Sequence, residues 1–185
     1  RVELLLLHDI DRVAHPQGHR QVVAQVLDEA LPALHRLKAE GRIDAIGIGV
    51  NEWDAAFEVL ASAEIDCVLL AGRYTLLDQS ALTSGFLDAC LRRGVSVLAG
   101  GVFNSGFLAG GEHFDYRAAD AALAQRREQL DLVCRRHGTE LPTAALHFTS
   151  THPAITSVVV GTRSPEEVHG YIRATLATLR LEDEL

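Results

Sequence analysis

Five times along this chain an apolar run ends in residues that could do chemistry. The first is the sharpest: Val2 and the four leucines Leu4 to Leu7, interrupted only by Glu3, give way to His8, Asp9, Asp11 and Arg12. Asn51, Glu52, Trp53 and Asp54 follow the second run, and Ala71, Gly72, Arg73 and Tyr74 the third. The fourth opens into Gly100-Gly101-Val102-Phe103-Asn104-Ser105-Gly106, and the last into Gly161-Thr162-Arg163. An imidazole can hydrogen-bond a reacting oxygen, and an Asn amide both donates and accepts. Glycines let backbone N–H groups approach phosphate oxygens closely, and Asn104 and Ser105 add side-chain donors beside them.

These residues need a frame that brings them to one place. The opening run lacks strict alternation, as expected of a parallel strand covered on both faces. Further strands are predicted over 45–50, 65–70, 95–99 and 155–160. Between them lie helical patterns over 21–40, with Pro32 as a kink and Gly41 as the stop, and over 54–63, 84–93, 118–137 and 143–149. Ser164-Pro165-Glu166-Glu167 is a helix start with an N-cap Ser and Pro at N1, and that helix is predicted to run to about Leu179. His15 and His19 have a metal-like spacing only on a helix, and Pro16 and Gly18 argue for exposed loop histidines instead.

Strand–helix alternation five times over implies an α/β fold with a parallel sheet under covering helices. Ligands of such folds sit beyond the carboxyl ends of the strands, where all five polar clusters fall. The pattern fits βα units of a barrel and fits a doubly wound open sheet equally well. No G-x-G-x-x-G follows the first strand, which lowers the dinucleotide-fold option.

At 185 residues and 48% hydrophobic content the chain can bury a core as one domain. Its 17 basic and 25 acidic residues contain no basic run, so nucleic acid and anionic membranes are poor partners. No apolar run approaches the roughly 20 residues of a membrane span. Cys67, Cys90 and Cys134 form no CxxC and read as buried thiols in a reducing compartment, which points to the cytoplasm. The chain starts at Arg1, beside a strand, and holds no Met, which points to part of a longer polypeptide.

LLLLHDIDR, IGIGVNEW, RYTLLD, GGVFNSGFLAG and VVVGTRSPEEV, taken together, resemble the aldo-keto reductases, nearest to their bacterial sugar dehydrogenase and pyridoxal 4-dehydrogenase branch. The resemblance covers essentially the whole chain in the family's order. It implies a partial (β/α)8 TIM barrel in which residues 1–185 supply five βα units, strands four to eight, as the C-terminal portion of one domain. Five strands cannot close such a barrel, so the first and last are expected to present bare edges, covered by a missing N-terminal half or by another chain.

The resemblance also assigns roles. His8 matches the active-site histidine that holds the substrate's reacting oxygen, a role a neutral imidazole N–H can fill without taking over the proton transfer. Asn51 falls where the family grips the nicotinamide carboxamide. Residues 101–110, with Gly101, Phe103, Asn104, Ser105 and Leu108, match the loop along the pyrophosphate. Gly161, Thr162 and Arg163 match the loop at the adenosine end, just before a helix N-terminus that favours anions. Trp53 and Asp9 are placed near a small sugar or aldehyde substrate, and no metal is implied. Glu167 aligns with a position where NADP-preferring relatives carry an Arg, so NAD is expected over NADP, with Arg163 as a competing phosphate ligand.

Two departures stand out. The family's carboxamide-binding Gln is replaced near Ala71 and Gly72, and the aromatic that stacks on nicotinamide aligns with Gly100, leaving Tyr74, Trp53 or Phe103 to fill in. The family's Tyr, Lys and Asp of proton transfer have no match: Lys38, the single lysine, is expected at the far rim of the barrel. The reading is therefore part of an NAD(P)-dependent oxidoreductase. Two alternatives are a nucleotide-binding module without catalysis and an unrelated phosphate-binding barrel using Gly101–Gly106 and Gly161.

Overall fold

The apolar opening forms β1 (Val2–His8), and its leucines divide between two faces. Leu5 and Leu7 pack against the main core. Leu6 lies on the other face beside Gly47, where an added Cβ would run into Leu6 Cδ2 at 2.9 Å and Cys67 Sγ at 2.6 Å. That clearance is one of the few places where glycine is required for close packing rather than for a turn. The structure, a computed structural model, describes residues 2–177.

After β1 come α1 (His19–Gln25), a π-helical turn (Val26–Ala30) and α2 (Leu31–Ala39). The helical run predicted over 21–40 is thus present and carries its irregularity just ahead of Pro32. The proline ring cannot accept the i−4 carbonyl packing of a regular turn, and the π turn absorbs the mismatch. His19 corrects the expectation of an exposed loop histidine: it is the first residue of α1 and is buried, with Nδ1 3.2 Å from the Ile10 carbonyl. His15 is half-buried.

The chain continues through β2 (Ile43–Val50), α3 (Trp53–Ser62), β3 (Cys67–Ala71), α4 (Ser80–Thr83), α5 (Phe86–Arg93) and β4 (Ser96–Gly100). The helix predicted over 84–93 is α5 and starts two residues later, because Gly85 takes φ +76 and separates it from the short α4. A 3-10 turn (Phe107–Ala109) and a two-stranded hairpin, β5 (His113–Phe114) with β6 (Arg117–Ala118), precede α6 (Ala121–Arg136). The hairpin takes up the first residue of the helix predicted over 118–137, and Asp120 caps what remains by accepting from Leu123 N at 2.8 Å. Then follow α7 (Leu141–Thr149), β7 (Ile155–Val158) and α8 (Pro165–Leu176), whose N-cap is Ser164. The predicted end of that helix near Leu179 lies outside the described residues.

The main sheet runs β1-β2-β3-β4-β7, every pair parallel. All five carboxyl ends therefore share one rim. Ile46, Ile48, Val50, Val68, Leu70 and Val97 bury one face of the sheet against Leu31, Val59, Leu60, Phe86 and Leu87 of the helices. Each such side chain contributes about 1.5–3 kcal/mol by leaving water. A second cluster, with Val102, Phe103, Leu108, Cys134, Leu141 and Ala145, ties the loop after β4 to α6 and α7. Among the described residues, β1 pairs only with β2 and β7 only with β4, so both outer strands have one bare edge.

Lys38 sits at the opposite rim, as expected, with Nζ 2.7 Å from both oxygens of Asp66 just before β3. The three cysteines are buried and unpaired. Burial pushes the Cys67 thiol up to about 11 and the Cys90 thiol up to about 12. Among the described residues no helix is long and apolar enough to cross a membrane.

Candidate active site

His8 closes β1 opposite Gly49 of β2, and its side chain is 75% exposed. A Cβ on Gly49 would lie 3.2 Å from His8 Cδ2, so the ring rests in space that this glycine leaves open. Asp9 takes the left-handed backbone, φ +51, while its N–H donates to the Gly49 carbonyl at 2.9 Å. Pairing with β2 thus extends one residue past the strand, and the sign of φ turns the chain sharply away. Asp9 Oδ2 is 3.3 Å from His8 Nδ1 in an exposed contact of small energetic weight.

The next anchor is Asp11, fully buried. Its two oxygens accept from Asn51 N at 2.8 Å and Ala14 N at 3.1 Å. Glu52 Oε2 reciprocates by accepting from Arg12 N at 3.0 Å and Val13 N at 3.2 Å. The turns after β1 and β2, carrying His8 and Asn51, are thereby locked to each other. Asp11 belongs to the polar cluster after the first strand, and its type and spacing alone announce no role. A buried carboxylate is visible only once its partners, 40 residues away for Asn51, are in place.

Two clefts open on the rim. The first, of about 460 Å³, is lined by Asn51, Gly72, Arg73, Gly101, Ser105 and Tyr116 among others. The second, of about 770 Å³, lies between the loop after β4 and the loop after β7. Gly101, Phe103, Ser105 and Gly106 line one side of it, and Gly161, Thr162, Arg163 and Glu167 the other. Gly101 and Ser105 face both clefts. His8, Asp9 and Trp53 line neither, because β1 is an edge strand and no wall stands across from it. Trp53 opens α3 half-buried, edge-on to Phe57 with ring centroids 6.4 Å apart.

Several expected donors are spent within the protein. Asn104, expected as a phosphate donor, is buried: its Oδ1 accepts from Thr75 Oγ1 at 2.7 Å, and its Nδ2 reaches the Gly72 carbonyl at 3.3 Å. Leu108, expected along the pyrophosphate, has its side chain buried in the second core and its N–H donating to the Phe103 carbonyl at 3.0 Å. Tyr74 cannot stack on a ligand ring, being buried with its hydroxyl 2.9 Å from Thr151 Oγ1 and its ring against Phe148. Phe103 is 8% exposed and stacks at 5.3 Å on Tyr171, so it forms floor rather than platform. The N–H groups of Ser105 and Gly106, by contrast, make no hydrogen bond among the described residues.

At the far end of the second cleft, Glu167 Oε2 accepts from Arg163 N at 2.6 Å, and Arg163 Nη2 lies 3.5 Å from Oε1. Ser164 Oγ accepts from Glu167 N at 3.2 Å, the N-cap predicted from sequence. The pair leaves the Arg163 side chain 92% exposed. Tyr171, one turn along α8, joins the lining of this cleft, a role that its sequence position does not announce. Burial, and secondarily the Glu167 carboxylate, raise its phenol above the ordinary value.

A phosphate-bearing dinucleotide fits this donor set: a long cleft between two loops, two uncommitted N–H groups, an exposed guanidinium, and a capped helix N-terminus. The family model described as "Aldo/keto reductase family" matches residues 1–184. The chain is 41% identical over 172 residues to a pyridoxal 4-dehydrogenase of Microbacterium luteolum, covering 90% of this chain and 50% of that protein. It is 38% identical over 173 residues to a D-threo-aldose 1-dehydrogenase of a Pseudomonas species, covering 91% and 50%. Among solved structures, the aldo-keto reductase AKR11C1 from Bacillus halodurans superposes with TM-score 0.69 at 22% identity, covering 98% of this chain and 58% of that one. The chain spans about half the length of the curated relatives it matches.

Proposed function

The chain belongs to the aldo/keto reductase family, and from that premise we propose that it carries the cofactor-holding side of an NAD-dependent oxidoreductase acting on an aldose or a small aldehyde. The observation that carries this reading is the second cleft, where the loops after β4 and β7 face each other at the carboxyl rim of a parallel sheet. Gly101, Ser105 and Gly106 would hold the pyrophosphate, and Thr162, Arg163 and Glu167 the adenosine end. Asn51, from the first cleft, would grip the carboxamide. When bound, the nicotinamide supplies or accepts the hydride.

His8 would orient the reacting oxygen through an imidazole hydrogen bond, which strengthens as charge develops there. Asp9 and Trp53 stand beside it on the same rim as substrate contacts. Lys38 is held by Asp66 at the opposite rim, so it is not placed to assist proton transfer at His8, and on this reading the proton donor would come from the remaining βα units. We place residues 1–185 as the C-terminal portion of one barrel domain. Its remaining βα units, on the same polypeptide or another chain, would cover the bare edges of β1 and β7. Three buried thiols support a reducing, cytoplasmic setting.

Glu167 supports NAD over NADP. Its carboxylate, already held by Arg163, repels a 2′-phosphate and can accept from a free ribose hydroxyl. Titration of the chain with NADH and NADPH tests the reading: NADH should bind, and more tightly. Preference for NADPH would overturn the cofactor assignment, and binding of neither would overturn the function. A dehydrogenase screen of the intact protein over fucose, other aldoses and pyridoxal then reads out the substrate.

A second reading, binding without catalysis, draws on Lys38 being the single lysine and committed elsewhere. Tight NADH binding by an intact protein that turns over none of those substrates would favour it.

A further inference from the structure

The loop that lines the dinucleotide cleft is held in a backbone conformation its own residues resist. Asn104 and Ser105 have φ +45 and +60, and Asp115 and Tyr116, in the hairpin turn, +45 and +66. None is glycine, and for L residues the left-handed region is costly, most of all for a bulky one such as Tyr. Such a geometry persists only where surrounding contacts outweigh it, and most of those contacts run through Asp115 and Asn104.

Asp115 Oδ2 takes the guanidinium of Arg73, two residues past β3, at 2.5 Å. Arg73 is 20% exposed, and Asp78 also approaches it, at 3.5 Å. Asp115 Oδ1 lies 3.4 Å from Asn104 Nδ2. Asn104 is in turn bound to Thr75 and to the Gly72 carbonyl. The turn is pinned a second time by Tyr116 N donating to Ser105 Oγ at 2.9 Å. The end of β3, the loop after β4 and the hairpin thus form one brace. It fixes the segment whose two uncommitted N–H groups, on Ser105 and Gly106, border the cleft.

We propose that Asp115 is a positioning residue for the dinucleotide cleft, acting through Arg73 and Asn104 to hold residues 104–106 in the left-handed turn that offers the Ser105 and Gly106 N–H groups to a phosphate. The proposal rests on the dinucleotide reading above. Asp115 touches no ligand in this scheme. Its contribution is preorganisation: without it the loop relaxes, and binding must then re-impose the strained turn.

The test uses the whole chain, with NADH binding by titration and amide hydrogen exchange of Asn104, Phe107 and Tyr116, whose N–H groups are hydrogen-bonded within the brace, as paired measurements. Asp115→Asn keeps the size of the side chain and leaves Arg73 with Asp78, so the fold is expected to survive. NADH affinity should fall roughly five-fold or more, within the usual range of such couplings, and exchange at Asn104, Phe107 and Tyr116 should quicken. Arg73→Met should do the same, and the double variant should be no worse than either single one, since both cut one brace. Asp115→Asn combined with Tyr116→Gly should recover part of the affinity, because glycine takes the left-handed backbone without penalty and keeps the N–H that donates to Ser105 Oγ. Merely structural damage would not be repaired by that substitution. Unchanged NADH affinity and exchange in Asp115→Asn, or fully additive losses in the double variant, would overturn the brace while leaving the dinucleotide reading standing. Failure of the unmodified chain to bind NADH or NADPH would instead remove the dinucleotide reading, and the proposal with it.

Discussion

Asn51 and Asp11 stand on the tips of neighbouring strands and share a hydrogen bond, the Asn51 N–H donating to the fully buried Asp11 carboxylate at 2.8 Å. Because Ala14 N uses the other oxygen, Asp11 sets both the shape of the turn after β1 and its distance from the turn after β2. Removing the carboxylate leaves two part-buried N–H groups without their acceptor. Asp11→Ala is expected to destabilise the fold by about 1–3 kcal/mol in total. Urea unfolding measures it, and an unchanged midpoint would show that water replaces the carboxylate at no cost.

Gly49 gives a separate handle on His8. Its added Cβ would sit 3.2 Å from the imidazole, a contact that an exposed ring can relieve by moving a few tenths of an ångström. Gly49→Ala should leave thermal stability within about 1 kcal/mol of the parent. If His8 orients the substrate as proposed, the intact protein should lose turnover by about ten-fold through misplacement of the ring. His8 ring shifts by NMR report the displacement directly, and a loss of stability without a shift would argue against it.

Cofactor choice should follow Glu167. Glu167→Arg replaces a carboxylate that holds Arg163 N with a cation beside an already exposed guanidinium. The NADPH-to-NADH affinity ratio is expected to rise by about ten-fold or more, equivalent to about 1.4 kcal/mol. Paired titrations of parent and variant decide the matter, and an unmoved ratio would remove Glu167 from cofactor choice.

Asp66 makes acid stability predictable in sign. Burial alone raises its carboxyl, but hydrogen bonds from Lys38 and Ile46 N and the nearby charges of Lys38 and His35 outweigh burial, and the net displacement is downward. A carboxylate whose folded pKa lies below its unfolded value contributes stability above the ordinary carboxylate range, and that contribution fades as pH falls through the folded value. Thermal unfolding between pH 6 and pH 3 should therefore show an acid-sensitive component that Asp66→Asn removes. Both side chains are more than a third exposed, so the component is expected to be modest. Identical pH slopes in parent and variant would assign acid sensitivity to other carboxylates.

Much of the fold was legible because apolar period and strand-end polarity are local properties. The four leucines of β1, the IGIG of β2 and the Ser164 cap all form the elements their patterns announce. The misses have local causes too. Gly85 delays a helix start by taking a positive φ, and the hairpin 113–118 has no alternating apolar signal strong enough to separate it from the helix that follows.

Within the site, a polar side chain can be claimed by the protein before any ligand arrives. Asn104 looks like a free donor beside glycines until Thr75, 29 residues earlier, takes its oxygen. Tyr74 looks like a stacking ring until Thr151, 77 residues later, takes its hydroxyl.

Sequence by itself determined the βα order, the parallel sheet and the delivery of His8, Asn51, Gly101 and Gly161 to strand ends, because those follow from hydrophobic period and chain direction. Only the tertiary structure decided which polar groups stay available and which become struts. Hydrogen-bond partners such as Arg73 and Asp115, 42 residues apart, are chosen by proximity in space, and proximity exists only after the sheet has formed.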